Sequence, residues 1–146
     1  MEIVNMSEAH VQAVAELEKM CFSDPWSTNS ISAELTNPLS TWLVAVENDE
    51  VVGYVGAQSV LDGADMMNIA VHPDYRKQGI GYALIDKLIP QLQERDVISL
   101  SLEVRVSNEG AIGLYHKMGF EVVGKRPNYY RNPREDAYIM RKEFAK

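Results

Sequence analysis

With 146 residues, 46% of them hydrophobic and 24% charged, the chain has the length of one compact domain, residues 1–146, and little room for two. No basic stretch leads into an apolar one at the N-terminus, and no apolar run approaches the roughly 20 residues a bilayer requires; the expectation is a soluble, cytoplasmic protein without a membrane partner. A formal net charge of −7 argues against nucleic acid as a partner, the single cysteine excludes an intrachain disulfide, and no Cys/His pair has zinc-site spacing, so no metal is expected.

In chain order, residues 7–20 set Val11, Val14, Ala15 and Leu17 at helical spacing behind a Ser7 cap, and residues 28–35 suit a second, short helix. The loop between them carries Cys21, expected as a buried, inert thiol, and Trp26. Residues 41–46 and 51–60 are rich in β-branched and aromatic side chains and flank Asn48-Asp49-Glu50, which predicts a hairpin. Another strand is expected over 66–71. After a polar segment, Ile80, Leu84, Leu88 and Leu92 repeat every four residues, giving a long amphipathic helix whose last turns Pro90 should kink.

Residues 98–105 alternate: Ile98, Leu100, Leu102 and Val104 on one face, Ser99, Ser101, Glu103 and Arg105 on the other, a strand with a carboxylate near its end. Asn108 then caps a short helix containing Tyr115, and Gly119 stands where a left-handed residue would end it. Residues 120–123 and 137–140 supply closing strands, while residues 125–133 are too turn-rich for a strand throughout. The order predicts an α/β fold, a mixed central sheet with helices on both faces. His10, His72 and His116 stand apart from one another, without a pattern suggesting a triad or metal.

The segment from Asn68 to Gly81 joins a strand to a helix through a basic, glycine-containing loop. A helix start leaves N–H groups unpaired, glycines let an anion approach the backbone, and Arg76 and Lys77 add charge, so the loop suits a phosphate group. The same spacing also fits glycines that only let the helix pack on the sheet. A dinucleotide-binding layout ranks well behind: Leu84 occupies the third glycine position, and little chain remains for a second nucleotide-binding half.

Arg76-x-x-Gly79-x-Gly81 after a strand ending in Val71 resembles the R/Q-x-x-G-x-G/A loop of the GNAT acetyltransferase superfamily. Glu103, Asn108, Tyr115 and the Gly119-Phe120 pair resemble the second half of that fold, in the same order. More narrowly, Pro25-Trp26-Ser27, Asn68-Ile69-Ala70-Val71 and Asn128-Tyr129-Tyr130 are similar to the bacterial ribosomal-protein-alanine N-acetyltransferases. The resemblance implies a GNAT-type fold and acetyl-CoA as acetyl donor. Ile69, Ala70 and Val71 would then meet its pantetheine arm, and Arg76, Lys77, Gln78, Gly79, Ile80, Gly81 and Tyr82 its pyrophosphate, with Asn108 and Tyr115 also on the cofactor. Glu103 would be the general base and Tyr115 the general acid, while Trp26, Tyr129, Tyr130 and Asp136 would meet the acceptor, a protein or peptide N-terminus, for which the narrower resemblance implies a ribosomal protein's alanine.

Chemistry favours that acceptor. An α-amine, with a pKa of about 8, is easier to deprotonate than a lysine amine at about 10.4 by roughly 3.3 kcal/mol. Transfer to lysine side chains or small amines, and a non-catalytic acyl-CoA-binding module, stay open as alternatives.

Overall fold

The computed structural model describes residues 1–144. Seven strands form one sheet: β1 (Glu2–Asn5), β2 (Ser40–Glu47), β3 (Glu50–Val60), β4 (Gly63–Val71), β5 (Ser99–Arg105), β6 (Glu121–Tyr130) and β7 (Glu135–Glu143), in the order β1-β2-β3-β4-β5-β7-β6. All neighbours are antiparallel except β4 and β5. Four helices accompany them: α1 (Val11–Cys21), α2 (Thr28–Glu34), α3 (Ile80–Glu94) and α4 (Glu109–Lys117). The mixed sheet flanked by helices is the expected architecture.

Strand periodicity sorts the core into two layers. On β2, Trp42 and Val44 meet the apolar face of α1 and α2 (Val11, Val14, Leu17, Ile31), whereas Leu43 and Ala45 meet the α3 layer (Ile80, Leu84, Ile85, Leu88, Leu92). Two bulges shift this alternation. Val52 is the extra residue opposite Ala45 and Val46, and Met67 the extra residue opposite Gly56 and Ala57. Because of the second bulge, Met66 and Ile69 both face the α3 layer, although they differ in parity.

Several local expectations hold. The β2–β3 hairpin turns on Asn48 and Asp49, with φ of 52° and 63°, the left-handed pair a two-residue type I′ turn requires. The Asn108 side chain accepts the Ala111 N–H at 3.1 Å to cap α4. At the other end Gly119 (φ 95°) donates to His116 O, and Phe120 N–H reaches back to Tyr115 O at 2.9 Å, the paired bonds of a Schellman ending.

Other expectations need correction. The short, half-polar β1 escaped notice, and the strand over 66–71 begins earlier, at Gly63. Ile98 lies outside β5 and is exposed, because it precedes the first β5–β7 pair, Ser99 with Glu143. Strand β6 continues through residues 125–130, since an irregularity between Arg126 and Tyr130, with Asn128 at φ 53°, absorbs Pro127 without ending the pairing with β7. Ser7 caps a short 3-10 turn (Glu8–His10) rather than α1 itself, and the His10 ring accepts the Ser7 N–H at 3.0 Å. Helix α3 runs through Pro90, whose missing N–H removes one interior hydrogen bond without ending the helix.

Candidate active site

Strands β4 and β5 pair only from Gly63–Ser99 to Asp65–Ser101. Beyond that point they separate, so Met66–Ile69 has β3 on one side and an opening on the other. A cleft of about 760 Å³ occupies the gap, walled by the α1–α2 loop, the β4 bulge, the end of β5, α4 and the β6–β7 turn. Of the residues singled out in the sequence, Trp26, Ile69, Glu103, Asn108, Tyr115, Tyr129 and Tyr130 line it.

The cleft joins the two faces of the sheet. Glu103 alternates with the core residues Leu102 and Val104 and therefore points away from the α3 layer, while Tyr115 belongs to that layer. The Glu103 carboxylate is partly exposed and pairs with Arg126, Nε to Oε1, at 3.3 Å. Tyr115 is 6% exposed, and its ring leans on Phe120 at 5.8 Å between centroids, the apolar contact that accompanies the Schellman ending. Its hydroxyl has no protein partner among the described residues, yet no sealed-off side-chain polar atom lacks one; the hydroxyl therefore opens to the cleft. Burial, with Tyr130 nearby, raises the Tyr115 pKa, so the phenol stays protonated and can donate. Tyr130 is pushed up to about 12, again chiefly by burial, then by Tyr129 and the Glu103 charge.

The β6–β7 turn is held by a residue the sequence reading passed over. Arg105 donates to Pro133 O at 2.9 Å, Arg131 O at 3.0 Å and Glu135 Oε1 at 3.1 Å, and its guanidinium lies 4.4 Å from the Tyr130 ring centroid. Its position on the polar face of an alternating strand gave no sign of this role. Asp136, by contrast, lies outside the cleft: it accepts the Asn128 N–H at 2.8 Å and faces Lys125 at 3.5 Å, and these contacts lower its pKa. It is occupied in holding the β6 irregularity. Cys21 is not a sealed core thiol either; it is half-buried and lines the cleft, with Sγ 3.5 Å from Arg76 Nη2.

The glycine loop adjoins the cleft rather than lining it. Arg76 Nε donates to Val71 O at 3.2 Å, so this carbonyl is already engaged, and the guanidinium reaches back to Cys21. Lys77 (φ 64°) and Gly79 (φ 79°) are both left-handed, and the first α3 bond is Ala83 N–H to Gly79 O at 3.0 Å. The N–H groups of Ile80, Gly81 and Tyr82 precede it and face out of the helix start, while the Ile80 side chain is in the core. A Cβ on Gly79 would meet nothing within 4 Å, which leaves this mouth open, and one on Gly81 would touch Leu114 of α4 at 3.4 Å. Gln78, Lys77 and Tyr82 are exposed beside it, and Ala70 is buried against α1. Within the described residues no group of three or more His, Cys, Asp or Glu side chains could hold a metal ion, and no helix is long and apolar enough to cross a membrane.

Comparison with known proteins agrees with this fold. The model of the acetyltransferase (GNAT) family matches residues 11–120. A Bacillus subtilis (strain 168) protein provisionally named ribosomal protein bS18-alanine N-acetyltransferase is 42% identical over 93% of this chain and 91% of its own. The Escherichia coli (strain K12) ribosomal protein bS18-alanine N-acetyltransferase is 37% identical, over 94% of each chain. The crystal structure of the ribosomal-protein-S18-alanine N-acetyltransferase from Escherichia coli superposes with a TM-score of 0.90 at 35% identity, covering 99% of this chain and 94% of that one.

Proposed function

The chain belongs to the acetyltransferase (GNAT) family, and from that premise we propose that it transfers an acetyl group from acetyl-CoA to the N-terminal alanine of a ribosomal protein. The observation that carries this reading is the divergence of β4 and β5, which puts Glu103 and Tyr115 on one cleft from opposite faces of the sheet. The whole chain then acts as one GNAT domain. The named activity of relatives sharing more than a third of their residues over nearly the whole chain supports the acceptor.

Acetyl-CoA supplies a thioester whose carbonyl carbon accepts the amine. The features that suit it are the open β4 edge, for the amides of its pantetheine arm, and the unpaired N–H groups at the start of α3, for its pyrophosphate. Lys77 and Arg76 add positive charge beside that helix start, and the Asn108 amide group, whose oxygen is committed to the α4 cap, keeps its NH2 for the cleft. The acceptor peptide enters on the Glu103 face, between Trp26 and the Tyr129–Tyr130 pair.

In the reaction the amine nitrogen bonds to the acyl carbon as the carbon–sulfur bond breaks. Glu103 takes the amine's proton, directly or through water, and the neutral Tyr115 hydroxyl donates to the leaving sulfur. No acyl-enzyme is involved, so Cys21 has no covalent role.

The test is mass-spectrometric product analysis after incubation with acetyl-CoA and a peptide that begins with alanine and contains an internal lysine, beside the same peptide with a blocked N-terminus. One acetyl group on the alanine amine, absent from the blocked control, is the expected result. Acetylation of both peptides would move the activity to lysine. Acetylation of neither, with acetyl-CoA bound, would leave a different acceptor or a binding module.

A further inference from the structure

Helix α1 presents Val11, Val14 and Leu17 to the sheet, and the next position on that stripe, four residues past Val14, is a glutamate rather than an apolar residue. Glu18 has no exposed surface, and no cationic side chain pairs with it among the described residues. A lone buried carboxylate is a poor means of holding a helix to a sheet, because an apolar residue would do so without desolvating a charge. Its partners show what it does instead. One oxygen accepts the backbone N–H of Trp26 at 2.8 Å; the other accepts the Tyr54 hydroxyl and Asn68 Nδ2, the latter at 2.5 Å.

Two of these three partners, Trp26 and Asn68, line the cleft. The third closes a ring of contacts. The Tyr54 ring stacks on Trp42 at 5.8 Å, and Trp42 meets the Trp26 ring edge-on at 5.5 Å, so the loop residue is held by its backbone and by its side chain from the same anchor. Asn68 directly follows the extra residue of the β4 bulge, and its bond to Glu18 fixes the bulge against α1.

We propose that Glu18 is a positioning residue that sets the acceptor side of the cleft, holding the α1–α2 loop and the β4 bulge so that Trp26 and Asn68 form one rigid wall for the incoming peptide. The assignment rests on the reading above that the peptide enters past Trp26. Glu18 touches neither substrate; it acts through those two residues. Its loss therefore weakens capture of the peptide without weakening capture of acetyl-CoA.

Kinetics with the alanine peptide and acetyl-CoA varied in turn test this in four forms of the protein: wild type, Glu18→Gln, Trp26→Ala and the double variant. In Glu18→Gln the peptide KM should rise about threefold to tenfold, the size expected for weakening one or two hydrogen bonds, with the acetyl-CoA KM within about twofold. On the Trp26→Ala background the same change should add less than it does in the wild type, leaving only the part carried by Asn68. Asn68→Ala, which removes a donor without touching the carboxylate, should give the same split to a smaller degree, and serves if Glu18→Gln does not fold. Independently of turnover, NMR hydrogen exchange of the Trp26 amide should accelerate at least about tenfold in Glu18→Gln. Unchanged exchange, KM values that rise in proportion for both substrates, or effects that multiply in the double variant would overturn the proposal. Failure of the wild type to acetylate the peptide would count against the acceptor assignment instead, and the amide exchange would still decide whether Glu18 holds the loop.

Discussion

Tyr115 owes its place to backbone chemistry as much as to its own ring. It is the residue whose carbonyl receives the Phe120 N–H where α4 ends, and its ring packs on that same phenylalanine, so the phenol enters the cleft from a fixed base. Replacing it with phenylalanine preserves this packing and removes only the proposed donor; kcat should fall about 100-fold with little change in acetyl-CoA KM, and Glu103→Gln should do the same for loss of the proposed base. Cys21→Ala should keep turnover within about twofold under the same steady-state assay. The tyrosines also make an alkaline prediction. Tyr130 titrates at about 12 in the folded protein against 10.0 for an ordinary tyrosine, and Tyr115 is raised as well. Between those limits the unfolded chain has lost protons that the native one retains, so the contribution is intact below pH 10 and is lost as pH rises toward 12. Thermal unfolding followed across that range should show a falling midpoint, and Tyr130→Phe should flatten the decline.

At the scale of elements, two glycines set the geometry on either side of the cleft. Gly119 has φ 95°, and a Cβ there would also lie 3.2 Å from Lys142 Nζ; Gly119→Ala should cost about 1–2 kcal/mol in denaturant unfolding and lower kcat by shifting Tyr115. Gly56 is a matter of space, since a Cβ would fall inside the Trp42 indole, and Gly56→Ala should destabilise by about 1–3 kcal/mol while disturbing Trp26 through Trp42. Both positions also show how far sequence reasoning reaches. Gly119, the Asn108 cap and the Asn48-Asp49 turn were legible because each is a short-range rule with one residue type behind it. What local rules could not show was long-range. Strand β1 exists because its four residues find an edge on β2, and β6 survives Pro127 because an irregularity lets β7 pair on both sides of it. The Met67 bulge follows from β3–β4 register, which no single segment encodes. Among the candidate site residues, the glycine loop and Glu103 were marked by the family resemblance rather than by spacing alone, whereas Asp136 lies outside the cleft, its carboxylate engaged by Asn128 and Lys125. Glu18 did carry a signal, a charge on an apolar stripe, that spacing alone could have raised.

Across the whole molecule the net charge of −7 favours cationic acceptors, an attraction that acts at range and is screened by salt. The KM of a basic alanine-initiated peptide should therefore rise as NaCl is taken from about 50 to 500 mM, whereas that of a neutral peptide of equal length should change little; a parallel rise for both would assign the effect to something other than the field. The largest architectural fact is the three-pair seam between Gly63–Asp65 and Ser99–Ser101. It divides the sheet into two sub-sheets, each made of contiguous chain, β1 to β4 from the first half and β5 to β7 from the second. Each half can gather its strands from near neighbours in sequence, but neither contains the whole cleft proposed as the active site, because Trp26 and Met67 belong to one and Glu103 and Tyr130 to the other. A chain emerging from a ribosome cannot acquire this activity piecemeal: its first half can be largely assembled while the enzyme is still inert, and catalytic competence arrives in one step, when the late strands dock.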